Sequence, residues 1–247
     1  MDFVLSYPQA PIEYNMYMEL PAGICTRYRY GKTHVLHLLN NLYTQKQARI
    51  VWNDHLVSGL QQIGFVQSKI DQCLFHRSSV IFIVYVDYGI FASPSNASTD
   101  LAIADLRVAK YDIEDQGTLA DYLGVNVENL AEGRIKLSQP LLVDQLLNNV
   151  RLLAILTKAQ IPAKSPRILQ RDLAAPDFDD KFNYRPVIFK LNLLEKNSRC
   201  DISYATHQVD CFCKEPRVSH GEATEHLVQY LRSTRTEGLI LYPKRDK

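Results

Sequence analysis

The sequence predicts an α+β domain followed by a mostly helical one. Three observations carry that reading. Strand and helix signals alternate through the first half, a proline-interrupted stretch at 162–186 keeps no sustained period, and three successive segments beyond it place apolar residues at helical spacing.

Taken in order, Asp2 opens a short apolar strand, Phe3-Val4-Leu5. Residues 47–63 carry Val51, Trp52, Leu56, Leu60 and Ile63 on one helical face and leave Asn53, Asp54 and Gln61 outward. Val80–Val86 and Gly89–Ala92 form a hairpin around Asp87, followed by a helix near Thr99–Tyr111. Strands near Tyr122–Val127 and Arg134–Leu137 flank a Glu132-Gly133 turn, and Gln139 to Leu153 is helical. Val187–Lys196, Ile202–Cys213 and Ser219–Arg232 read as three helices, with Pro216 separating the last two. The expected organisation is a domain over 1–161, a linker over 162–186 and a helical region over 187–247.

At 247 residues and 46% hydrophobic content the chain can bury a sizeable core. Its 28 basic and 27 acidic side chains give a formal charge of +1, so no global field draws it to nucleic acid or membrane. A basic surface must be local, and the region from Lys181 onward, with Lys190, Lys196, Arg199, Lys214, Arg217, Arg232, Arg235, Lys244 and Arg245, is the candidate. A solvated helical face explains the same residues. No apolar run approaches the roughly 18–20 residues of a membrane span. With no basic start after Met1, the expected location is intracellular, cytoplasmic or nuclear, with no membrane partner. Five cysteines, unevenly spaced, suit reduced thiols. Buried thiols and capping histidines account for His207, Cys211, Cys213 and His220 better than zinc does, because Cys-x-Cys is tighter than the usual structural pair.

Tyr85-Val86-Asp87-Tyr88 is the most informative stretch. An apolar strand delivers one carboxylate to a hairpin tip, where an acid invites metal chemistry and where aspartate is also an ordinary turn former. Asp2 opens a second strand, so two strands can bring carboxylates to one sheet end. Arg27-Tyr28-Arg29-Tyr30-Gly31-Lys32 mixes cations with aromatics, as single-strand binders do and as a solvated hairpin does.

Several segments in order carry a resemblance: DFVLSYPQAPIEYNMYMELP, LYTQKQA, IDQCLF, YVDY, YDIEDQG, DYLGVNV and RIKLSQP, then YRPVIFKLNLLEKNSRCDISYATHQ and SHGEATEHLVQYLRSTRTEGLILYP. From Asp2 to about Pro243 the chain resembles copia-type retrotransposon reverse transcriptases. The resemblance implies an RNA-directed DNA polymerase: a palm-like antiparallel sheet with helices, followed by a thumb- or connection-like helical region. It also implies two Mg2+ or Mn2+ ions, held by carboxylates, that activate the primer hydroxyl and neutralise the triphosphate. The implied partners are an RNA or DNA primer–template, deoxynucleoside triphosphates and other segments of a Pol polyprotein.

Carried over by position, Asp2 and Asp87 match the catalytic, metal-binding acids, Tyr7 the aromatic beneath the incoming sugar, and Gln47 the group lining the nucleotide site. Tyr88 stands where a third acid is expected. A phenol, ordinarily titrating near pH 10, is neutral at neutral pH, so this exchange removes a full charge and adds length. Thr44, Arg49 and Phe189 replace glycine and Ile50 replaces arginine in the family pattern. Phe189 is expected to lose close packing or a positive φ that glycine allows. The resemblance also leads to a fingers region before Asp2 and a ribonuclease H domain after Lys247, so the chain reads as a truncated, catalytically impaired remnant. The rival expectation is a non-catalytic nucleic-acid-binding remnant.

Overall fold

The computed structural model describes residues 1–21, 23, 34–151, 159–164, 168–171, 174–179 and 181–243. The expected basic-aromatic hairpin at 27–32, Cys25, Lys244 and Arg245 lie outside them. The chain is mixed α and β with antiparallel pairing, and it divides into two compact units, Met1–Thr118 and Leu119–Lys247.

The first unit contains β1 (Asp2–Phe3), α1 (Ser6–Gln9), β2 (Pro11–Glu19), β3 (Val35–Asn40), α2 (Ala48–Gln62), β4 (Val66–Gln67), β5 (Leu74–Arg77), β6 (Val80–Tyr85), β7 (Tyr88–Ala92), α3 (Asn96–Val108) and β8 (Ile113–Glu114). Six of its strands form one sheet in the order β4-β5-β6-β7-β1-β8, and β2 with β3 forms a separate ribbon. The alternation in β6 is read out directly: Val80, Phe82 and Val84 are buried while Ile81, Ile83 and Tyr85 are exposed. The inward side chains join Phe3, Trp52, Leu56, Leu60, Phe65, Phe75 and Leu106 in one core. Two glycines allow close approach there. A Cβ on Gly59 would collide with the Tyr111 hydroxyl, and one on Gly89 with the Phe82 ring and Met1.

The second unit contains β9 (Asp121–Tyr122), β10 (Val125–Asn129), β11 (Ile135–Ser138), α4 (Pro140–Asn149), α5 (Tyr184–Asn197), α6 (Ser203–Asp210), α7 (Val218–Ser233) and β12 (Leu239–Leu241). Its sheet runs β12-β11-β10-β9. The helices pack through Leu146, Ile188, Leu191, Leu194, Ile202, Leu227 and Leu231. Arg199, almost fully buried, is satisfied by Asp201, by the carbonyl and hydroxyl of Thr234, and by the Tyr230 ring.

This partition differs from the limits expected at 161 and 186. β12 pairs with β11 through Lys136 and Ile240, so the strands after residue 118 are completed by the end of the chain. Helix α4 shares a core with α5 and α7. The stretch expected to be a linker is anchored as well, since Phe182 and Tyr184 are buried and the Tyr184 hydroxyl donates to the Val209 carbonyl at 2.9 Å.

Other expectations change in detail. Phe189 lies within α5, without a positive φ, and is 65% exposed, so a large side chain is accommodated there at no packing cost. Cys211 is exposed and Cys213 half-buried, not buried thiols, because α6 ends at Asp210; Cys73 and Cys200 are exposed as well. His220 does cap a helix: its Nδ1 accepts the Arg217 N–H at 3.0 Å. Several of the C-terminal cations are paired, Arg199 with Asp201, Arg217 with Asp177 and Arg235 with Asp144, which divides the expected basic surface.

Candidate functional site

β1 is the element that builds the site. Only two residues long, it lies between β7 and β8, with Asp2 opposite Tyr88 on one side and opposite Glu114 on the other. The Phe3 N–H donates to the Asp87 carbonyl at 2.8 Å and the Gly89 N–H to the Met1 carbonyl at 3.0 Å. Two acids 85 residues apart in sequence therefore stand at neighbouring positions of one sheet end.

The turn that carries Asp87 is tight, Tyr85 pairing with Tyr88 across Val86 and Asp87. Val86 has φ +58, a conformation that glycine favours and that a β-branched residue adopts at a cost. Trp52 on α2 donates its indole N–H to the Val86 carbonyl at 2.8 Å. β8 is held beside β1 by Gln9, whose amide donates to the carbonyls of Val4 and Asp112 and accepts the Asp112 N–H.

Electrostatically, the site is acid-rich and partly desolvated. Burial raises the Asp2 carboxyl above the ordinary carboxylate range, and the charges of Asp87 and Glu114 raise it further. Such a pair of hard oxygen ligands suits a divalent cation of the magnesium type. The set is incomplete, however. Tyr88 puts an exposed neutral ring directly across from Asp2. Among the described residues, no three His, Cys, Asp or Glu side chains are arranged to hold a metal ion. The register thus brings Asp2 beside Glu114 and the Asp87 turn, while the position opposite Asp2 on β7 is a tyrosine.

Tyr7 and Gln47 stand apart from the acids in their contacts. Tyr7 on α1 packs its ring against Tyr43 with centroids 4.8 Å apart, and Gln47, at the start of α2, donates to Met16 Sδ at 3.0 Å. Neither has a hydrogen bond to Asp2 or Asp87 among the described residues. Glu114 was missed at the level of sequence. Its strand is two residues long and gives no periodic signal, so only the pairing with β1 reveals it.

The family model for reverse transcriptase (RNA-dependent DNA polymerase) matches residues 1–164. The chain belongs to the reverse transcriptase family. Three relatives named for transposons are similar to it over nearly its whole length. It is 26% identical over 241 residues to a putative transposon Ty5-1 protein of Saccharomyces cerevisiae, covering 96% of this chain and 76% of that one. It is 27% identical over 245 residues to the retrovirus-related Pol polyprotein from transposon RE1 of Arabidopsis thaliana, and 26% identical over 245 residues to that from transposon RE2. Those two matches cover 98% of this chain and 16% of each polyprotein, so the chain spans about a sixth of their length. No solved structure matches. No helix among the described residues is long and apolar enough to cross a membrane.

Proposed function

We propose that the sheet bearing Asp2 and Asp87 is a reverse-transcriptase palm whose capacity for two-metal nucleotidyl transfer is impaired at Tyr88, and that the helical unit is thumb- or connection-like. Asp2 and Asp87 are the catalytic metal ligands for Mg2+ or Mn2+, and Tyr7 and Gln47 line the nucleotide site. The partners are a primer–template of RNA or DNA, deoxynucleoside triphosphates and other segments of a Pol polyprotein.

The observation that supports this reading is the register of β1: Asp2 pairs across from Tyr88, while the next residue donates its N–H to Asp87. A sheet end arranged so can present two carboxylates to one cation. The neutral ring at position 88 leaves that cation with less charge than a two-metal site requires, so metal occupancy is weak and polymerisation slight.

A second reading, a nucleic-acid-binding remnant without catalysis, is favoured by Tyr85 and Tyr88. Both present exposed rings beside the carboxylates, and aromatic faces serve stacking on bases. Primer extension on an RNA template with magnesium or manganese, read beside salt-dependent binding of the same primer–template, tests both. The expected result is salt-sensitive binding with little or no extension. Robust extension by the unmodified chain, abolished by Asp2→Asn, would overturn the impairment.

A further inference from the structure

Directly beside the turn that carries Asp87 lies a cavity of about 320 Å³, formed by the first half of α2, the approach to β5 and the end of β6. Its walls include Trp52, Leu56 and Val86, an apolar and aromatic floor. Arg49, Asn53 and Gln72 contribute three polar side chains to the same walls. None of the three has a side-chain hydrogen bond or ion pair among the described residues. The volume falls in the range of small-ligand pockets, and a few polar groups over an apolar floor are what such pockets use to fix orientation.

The kinds of polar group narrow the ligand. Carboxamides pair with the donor–acceptor edge of adenine, whose N6 amino group donates to the amide oxygen while N7 accepts from the amide N–H. A guanidinium is the side chain suited to a phosphate, through its planar fork of donors. Trp52 and Leu56 are almost fully buried, so they back the cavity as an apolar wall against which a base is sheltered from water. Arg49 is also a departure of this chain, since the family pattern has glycine there.

We infer that this cavity binds a purine nucleotide unit, adenine between Asn53 and Gln72 and phosphate on Arg49, at a position separate from the carboxylate pair. The inference rests on the nucleic-acid reading above and names the base class that a bound strand would place beside the Asp87 turn. Because Trp52 shares the floor and also donates to the Val86 carbonyl, occupancy of the cavity is felt at the residue before Asp87.

Trp52 is the single tryptophan of the chain, so its selectively excited fluorescence reports on this cavity and on the core and turn it touches. The test titrates the full chain with adenosine 5′-monophosphate in EDTA, which keeps metal binding out of the measurement. Saturable quenching is expected, weakened about tenfold by Arg49→Ala and again by Asn53→Leu, and weaker for cytidine 5′-monophosphate than for the adenine nucleotide. Both substitutions fall on exposed positions of α2, and circular dichroism checks that the helix is intact. No saturable quenching, or affinity in Arg49→Ala and Asn53→Leu unchanged from that of the unmodified chain, would overturn the inference. Because metal is absent throughout, neither result bears on whether Asp2 and Asp87 bind a cation.

Discussion

Trp52 holds Val86 by its carbonyl, at 2.8 Å, and Val86 is the residue that turns the chain into Asp87. A helix is thereby tied to a turn 34 residues further on, at the point where the backbone has a positive φ. The contact does two things at once. It satisfies a partly buried carbonyl that would otherwise lose its protein partner, and it anchors the turn at the residue before Asp87.

Replacing the donor while keeping an aromatic ring should expose that role. Trp52→Phe is expected to destabilise the first unit by about 2 kcal/mol, the sum of a lost hydrogen bond and a smaller side chain in the core. Urea unfolding followed by circular dichroism measures it. An unchanged transition midpoint would show that the turn holds its shape without the indole.

Thr44 is a second strained position, at φ +78 between Tyr43 and Gln45. A β-branched residue in the left-handed region costs about 1–2 kcal/mol, and glycine does not bear that cost. Thr44→Gly is therefore expected to stabilise the chain by about 1 kcal/mol, net of the extra chain entropy of glycine. Thr44→Ala should give no such gain. Equal effects of the two substitutions in denaturant unfolding would contradict the strain account.

The second unit carries its own pH signature. Arg235 meets Asp144 with two hydrogen bonds of 2.6 Å, and that contact holds the Asp144 carboxyl below its ordinary value near 3.8. A depressed acid contributes stability that is present above the unfolded value and lost as pH falls through the folded one. Arg235→Gln should accordingly lower stability modestly at neutral pH, by less than about 1 kcal/mol for so exposed a pair, and flatten the loss of stability below about pH 4. Thermal melts across that range, repeated at high salt, check it. The effect should shrink with salt, because both side chains are more than a third exposed.

How much of this was legible in the sequence follows from where each signal lies. Helix α2 was readable because Trp52, Leu56 and Leu60 repeat at helical spacing, and β6 because Val80, Phe82 and Val84 alternate with outward residues. The hairpin around Asp87 followed from its apolar strand. Two-residue strands carry no period, so β8 and its Glu114 could not be read, although that strand decides what faces Asp2. β12 was hidden for a related reason: three residues, Leu239 to Leu241, mean little until they pair with Ile135 to Leu137 about a hundred positions earlier. The two compact units divide after Thr118, a limit that no periodic signal marks. Prolines at 162–186 suggested a linker, whereas Phe182 and Tyr184 within that stretch supply core side chains.

The central claim is that Asp2 and Asp87 share a cation and that Tyr88 weakens their hold on it. Mn2+ titration of the full chain, read by the paramagnetic signal of the free ion, tests that claim without requiring polymerisation. Weak binding is predicted for the unmodified chain, at least about tenfold tighter binding for Tyr88→Asp, and loss for Asp2→Asn. Mn2+ binding that is the same in all three chains would contradict the account.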